Sequence, residues 1–269
     1  MRPELCAEAL RLGRLLAGLM PAQPEVHGLV ALMELQASRL RARASETGDP
    51  LLLADQDRRR WDRLLIRRGL DALRRASQLG EAPGPYEVQA EIAACHARAV
   101  SVADTDWERV CALYTVRGHL TPAPVVELNR AVAVAMAYGP ARGLEIADRV
   151  ASSLPGYVQL PAVRGDLLFR LGRLDEARAE FTRAASVTAN ETERALYRAR
   201  AAECGLGSPA RSPAAMSSVG RQLFLRRRPP HAKAVTRVAA AVSRPSDTGR
   251  NVISTVRPPA GFGRAIRSA

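Results

Sequence analysis

Three features predict an all-α chain of antiparallel helix pairs stacked into a superhelix and followed by a disordered basic tail. Apolar residues recur at spacings of three and four along most of residues 4–204. Proline, glycine and capping residues cut that pattern into lengths of a few helical turns. From Gly205 onward the periodicity stops and the composition changes.

The elements follow in order. Leu5, Ala9, Leu12, Leu16 and Leu19 form an apolar stripe that predicts a first helix facing the core. Glu4, Glu8, Arg11 and Arg14 lie off the stripe, and Pro21 and Pro24 end the helix. A second helix is expected over residues 25–41, with Leu29, Leu32, Met33 and Leu40 inward. Residues 45–50 read as a polar turn. A charged cluster of Asp55, Gln56, Asp57, Arg58 and Arg60 leads through Trp61 into a helix ending near Leu79. Gly80 and Pro83-Gly84-Pro85 stop it. Pro85 then opens a central helix with Val88, Ile92, Cys95 and Ala99 on one face. Thr105 and Glu108 have the spacing of a capping box for the next helix, with Trp107 just inside it. Residues 124–138 form a helix with Val125, Leu128, Val132 and Met136 inward. Asn129 reads as a packing residue beside Arg130. A further helix is expected over residues 141–152.

Residues 157–204 carry a repeat. Gly165, Leu168, Gly172, Ala177, Phe181 and Ala184 occupy the small and large positions by which two antiparallel helices interlock in a tetratricopeptide (TPR) repeat. Gly139 precedes Gly172 by 33 residues, which suggests a degenerate repeat before it. Asn190 and Glu193 cap a last helix that closes the stack. The expected architecture is thus a TPR-like right-handed superhelix. Its divisions are a helical subdomain over 1–83, TPR-like repeats over 84–206 and a tail over 207–269.

Composition excludes several classes. No apolar run reaches the length of a membrane span, and no signal-peptide pattern opens the chain. Cys6, Cys95, Cys111 and Cys204 fall in helical patterns without C-x-x-C spacing, as buried thiols in a reducing compartment do. Cys95, His96, Cys111 and His119 fit no zinc spacing, so neither a metal nor a cofactor is expected. The carboxylate pairs Asp55/Asp57 and Asp104/Asp106 lack a nucleophile or base, so an enzyme is not expected. The net charge of +13 is concentrated in the tail. Residues 207–269 hold 12 Arg or Lys against one acid, Asp247, whereas residues 1–206 hold 28 bases and 26 acids. Arg226, Arg227 and Arg228 make the tail a candidate nucleic-acid arm, although Phe224 and Phe262 are too far apart to stack bases together; an extension of the reading frame without a selected function is the other reading.

Five motifs occur in family order. They are Leu5-Cys-Ala-Glu-Ala-Leu-Arg-Leu-Gly-Arg-Leu-Leu16, Asp55-Gln-Asp-Arg58 with Trp61-Asp62, Gly84-Pro-Tyr86 through Ala94-Cys-His-Ala97, Asp104-Thr-Asp-Trp107, and Pro124-Val-Val126 with Leu128-Asn-Arg-Ala-Val-Ala133. Over residues 4–204 the chain resembles the C-terminal TPR-like extension of one group of bacterial extracytoplasmic-function (ECF) sigma factors. It lacks the sigma regions 2 and 4 that bind core polymerase and promoter elements in such factors. The resemblance implies a cytoplasmic role in transcription initiation, exerted through protein contacts with sigma core regions or RNA polymerase. DNA would be met only indirectly or through the tail. Asp55, Gln56, Asp57, Arg58, Arg60, Trp61, Asn129 and Arg130 are the candidate partner-binding residues, with a capped helix start and a local ion-pair network as the other reading of Asp55, Asp57, Arg58 and Arg60. A freestanding helical interaction module is the alternative.

Overall fold

Most helix starts can be traced to the residue in front of them. Prolines stand in the first turns of α2 (Pro24–Ala37), α4 (Pro85–Arg98), α6 (Pro124–Tyr138) and α7 (Pro140–Val150), where a missing N–H costs no hydrogen bond. Asp62 opens α3 (Arg63–Leu79) by accepting from the Leu64 and Leu65 amides at 2.9 and 3.1 Å. Asp106 opens α5 (Trp107–Leu120) by accepting from the Arg109 amide at 2.9 Å. The N-cap is therefore Asp106, one residue beyond the expected Thr105, and the Thr105–Glu108 capping box does not form, because the Thr105 side chain is buried and bonded elsewhere. The remaining helices are α1 (Pro3–Leu19), α8 (Gln159–Arg170), α9 (Leu174–Val187) and α10 (Glu191–Gly205). Asn190 caps α10 through the Thr192 and Glu193 amides, as expected. Short 3-10 turns occupy Leu40–Ala42, Arg58–Arg60 and Ala151–Ser153.

The computed structural model describes residues 3–44, 51, 53, 55–80 and 82–205. Among them the fold is all-α, with ten α-helices and no strand. The expected turn at 45–50 and the tail at 207–269, with Arg226, Arg227 and Arg228, lie outside the described residues. No described helix is long and apolar enough to cross a membrane.

Each helix packs on its neighbour in sequence, and α2 also packs on α4. Two core clusters result, and α4 is their common wall. Val88, Ile92 and Cys95 face the larger cluster, built with α5 to α10. Ala90, Ala94 and Ala97 face the smaller one, with Ala31, Leu35, Trp61, Ile66 and Leu73. The expected boundary at residue 83 thus falls beside a helix that belongs to both cores.

The interlock at α8 and α9 follows the repeat. A Cβ on Gly165 would lie 2.9 Å from the Phe181 ring, and Phe181, Ala177 and Ala184 are buried. Gly172 turns the chain with φ of +76°, a backbone setting that glycine reaches without strain. The α6–α7 pair closes in its own way: a Cβ on Gly143 would lie 2.5 Å from Ala135 Cβ.

Two expected faces are corrected. The second helix stops at Ala37, where Ser38 Oγ donates to the Leu35 carbonyl at 2.7 Å. It buries Val30, Ala31, Glu34 and Leu35 most deeply, while the expected Leu29, Leu32, Met33 and Leu40 are half-buried, Leu32 packing on the smaller core. The cause is that α2 is packed by α1, α3 and α4 together, so no single apolar face dominates. In α1 the expected stripe points outward: Leu5 is 61% exposed, Leu12 50% and Leu19 72%. The inward side is Leu10 and Gly13, and a Cβ on Gly13 would lie 3.2 Å from Met33 Sδ. Small residues bring α1 close to α2 and leave the large ones outside.

Candidate functional site

The polar cluster expected to meet a partner is first of all a joint within the chain. Asp57 begins the Arg58–Arg60 turn by accepting from the Arg59 amide at 3.0 Å, and it also pairs with the Arg59 guanidinium. That turn drives Arg58 inward, where it is 6% exposed. Arg58 Nη1 donates to the carbonyls of His96 at 2.8 Å and Ala99 at 3.0 Å, and Nη2 donates to Thr105 Oγ1 at 3.1 Å. These acceptors are the last turn of α4 and the α4–α5 loop, so one guanidinium ties residue 58 to both. Trp61, only 3% exposed, packs beneath it with the Arg58 guanidinium 5.3 Å from the ring and that of Arg39 5.8 Å away.

This crowding of cations sets the local electrostatics. Burial, with the charges of Arg43 and Arg58 behind it, pushes Arg39 down to about 10. Burial and the charges of Arg58 and Arg39 push His96 down to about 4, so the ring is neutral at ordinary pH. It lies edge-on to Trp107 at 5.2 Å.

The other candidate residues separate from this joint. Asp55 and Arg60 are exposed, and Gln56 donates from Nε2 to the Leu51 carbonyl at 3.2 Å. Asn129 is exposed, not the buried packing residue expected, because its place on α6 faces away from α5 and α7. Val132, expected inward, is also partly exposed, and Ala131, Ala133 and Val134 are buried in its stead. Arg130 pairs with Glu127 one turn back on α6, at 2.7 Å. Arg58 and Trp61 thus serve first to hold the fold, each leaving only a few per cent of its surface exposed.

The carboxylates and thiols hold structural positions. Asp57 and Asp106 are caps, and Asp104 accepts from Ser101 Oγ at 2.7 Å. Cys95 and Cys111 are free and buried, and desolvation pushes both thiols up to about 11. No group of three potential metal ligands occurs among the described residues.

The surface that residue spacing misassigned is the stronger candidate. Leu5, Leu12, Leu15, Leu16 and Leu19, with Met20 just beyond, are all exposed along α1. At 100° per residue they fall within an arc of about 140°, so they form one apolar band. On the same wheel Glu8 falls inside the arc, between Leu5 and Leu12 along the axis, and pairs at 2.7 Å with Arg11 at the edge. Contiguous bands of this kind mark places where another surface docks. The spacing of the leucines is legible in the sequence; the small-residue face that displaces them from the core carries no comparable signal.

Residues 1–77 match a family of unknown function, DUF6596. That stretch contains the α1 band and the Asp55–Trp61 joint. An uncharacterized protein of Rhizobium meliloti (strain 1021) is 47% identical over 195 residues, covering 72% of this chain and 46% of that protein. The chain thus spans about half the length of this curated relative. No solved structure matches it.

Proposed function

We propose that the chain is a non-enzymatic helical module of sigma-factor type that acts on transcription initiation through protein contacts in the cytoplasm. The observation that carries this reading is the apolar band of α1. A helix that keeps five leucines in water while burying a glycine is built to be covered by another surface. The ordered motifs from Leu5 to Ala133 supply the kind of partner, namely sigma core regions or RNA polymerase.

The polar cluster enters this function indirectly. It ties the turn before α3 to the end of α4 and the α4–α5 loop and leaves the contact itself to α1. The test is reconstitution: the purified chain is mixed with RNA polymerase core and with a fragment carrying sigma regions 2 and 4, and complexes are separated by size. Co-migration with either is expected. Failure to co-migrate with both rejects the sigma-type partner.

A further inference from the structure

The near-neutral balance of residues 1–206 conceals a strongly basic face. Residues 58–75 hold eight arginines against Asp62 and Asp71. Of the eight, only Arg58 is buried; Arg59, Arg60, Arg63, Arg67, Arg68, Arg74 and Arg75 are exposed. The buried side of α3 is Ile66, Gly69, Leu73 and Ala76, so its five arginines share the opposite side. At 100° and 1.5 Å per residue they cover an arc of about 140° and about 18 Å from Arg63 to Arg75.

At the N-terminal end of this face lies an open cleft of about 730 Å³, with Arg41, Arg59, Arg60 and Arg63 arranged around Trp61. The nearby acids are committed. Asp62 caps α3, Asp57 caps the Arg58–Arg60 turn and pairs with Arg59, and Asp71 pairs with Arg74 at 2.5 Å. Arg60, Arg63, Arg67, Arg68 and Arg75 contact no carboxylate among the described residues.

The structure assigns this face to the phosphate backbone of duplex nucleic acid. A protein partner would need an apolar centre, and interface cores are depleted in charge. Here Leu64 is the one large apolar side chain exposed among the arginines of α3. Single strands are held by stacking on aromatic rings, and the only aromatic at the cleft, Trp61, is buried. What remains is a row of guanidinium groups suited to phosphates, without base-reading side chains. The expected binding is independent of sequence and steeply dependent on salt. This assignment does not rest on the protein contact made by α1.

The test uses the full chain and a duplex of arbitrary sequence, with anisotropy read across a salt series. Neutralising Arg63→Gln, Arg67→Gln and Arg68→Gln together is expected to weaken binding about tenfold or more and to lower the slope of log K against log salt by about 2 to 3. The Lys triple at the same positions keeps the slope, and unfolding midpoints stay at wild type in both. A second full-chain variant, Arg226→Gln with Arg227→Gln and Arg228→Gln, reads the tail separately. Unchanged affinity and slope in the α3 Gln triple overturn the assignment, with loss in the tail variant alone moving it to the tail. Absence of duplex binding by the wild type at low salt overturns it too, and binding of an acidic polypeptide in its place would assign the face to a protein.

Discussion

Arg58 satisfies three oxygen acceptors that no other side chain among the described residues reaches. Two of them are backbone carbonyls at the end of α4 and just beyond it, and losing their donor leaves them desolvated. Arg58→Ala should therefore cost roughly 2–4 kcal/mol in urea unfolding. An effect within experimental error would show the joint to be superficial. His96 lies against the same guanidinium and gives a pH signature. Its folded value near 4 lies below the unfolded value near 6.5. The unfolded chain thus takes up the proton first as pH falls. The stability contributed by the neutral ring is complete above about pH 6.5 and is lost progressively toward pH 4, to a total of about 3 kcal/mol. Subtracting the stability profile of His96→Gln from that of wild type should isolate this slope; a flat difference between pH 4 and 6.5 would contradict it. The sequence named Arg58 and Trp61 as notable but could not say which way they point. Only the turn begun by Asp57 decides that.

Single helices show where spacing suffices and where it fails. The α8–α9 pair was legible because its signal is a set of sizes at fixed positions, and Gly165 against Phe181 is one such fit. Gly165→Ala should cost about 1–3 kcal/mol by overpacking, measured by thermal or urea unfolding. Gly143→Ala should cost at least as much, since its Cβ would also lie 2.6 Å from the Ala131 carbonyl oxygen, and backbone yields less readily than a ring. A neutral result at both sites would mean the helix pairs can slide apart freely. In α1 the same reasoning misplaced the face, and in α2 it found only the half-buried part of it. An apolar stripe predicts burial only when some surface is there to cover it, and a glycine-lined side can compete for the core. In α2 three neighbours remove the contrast on which periodicity depends.

At the scale of the molecule, α4 joins two cores that the sequence divided at residue 83. The chain's two tryptophans sit on either side: Trp61 belongs to the smaller core and Trp107 packs on the larger. Trp107→Phe leaves Trp61 as the sole indole reporter, and its urea transition should coincide with loss of helical circular dichroism. Separate transitions would show two independent units. The same scale separates two outer surfaces, an apolar band on α1 and an arginine face on α3, which total charge and composition could not resolve.

The measurement that bears most directly on the proposed function is made on the double variant Leu12→Glu, Leu16→Glu. Its unfolding midpoint and its binding to RNA polymerase core and to sigma regions 2 and 4 are read side by side with wild type. Both side chains are exposed, so stability should change by no more than about 0.5 kcal/mol, while binding falls at least about tenfold as two charges enter an apolar contact. Equal binding by variant and wild type would contradict the assignment of α1 as the docking surface. A large loss of stability would contradict it as well, because the band would then be covered by the chain itself.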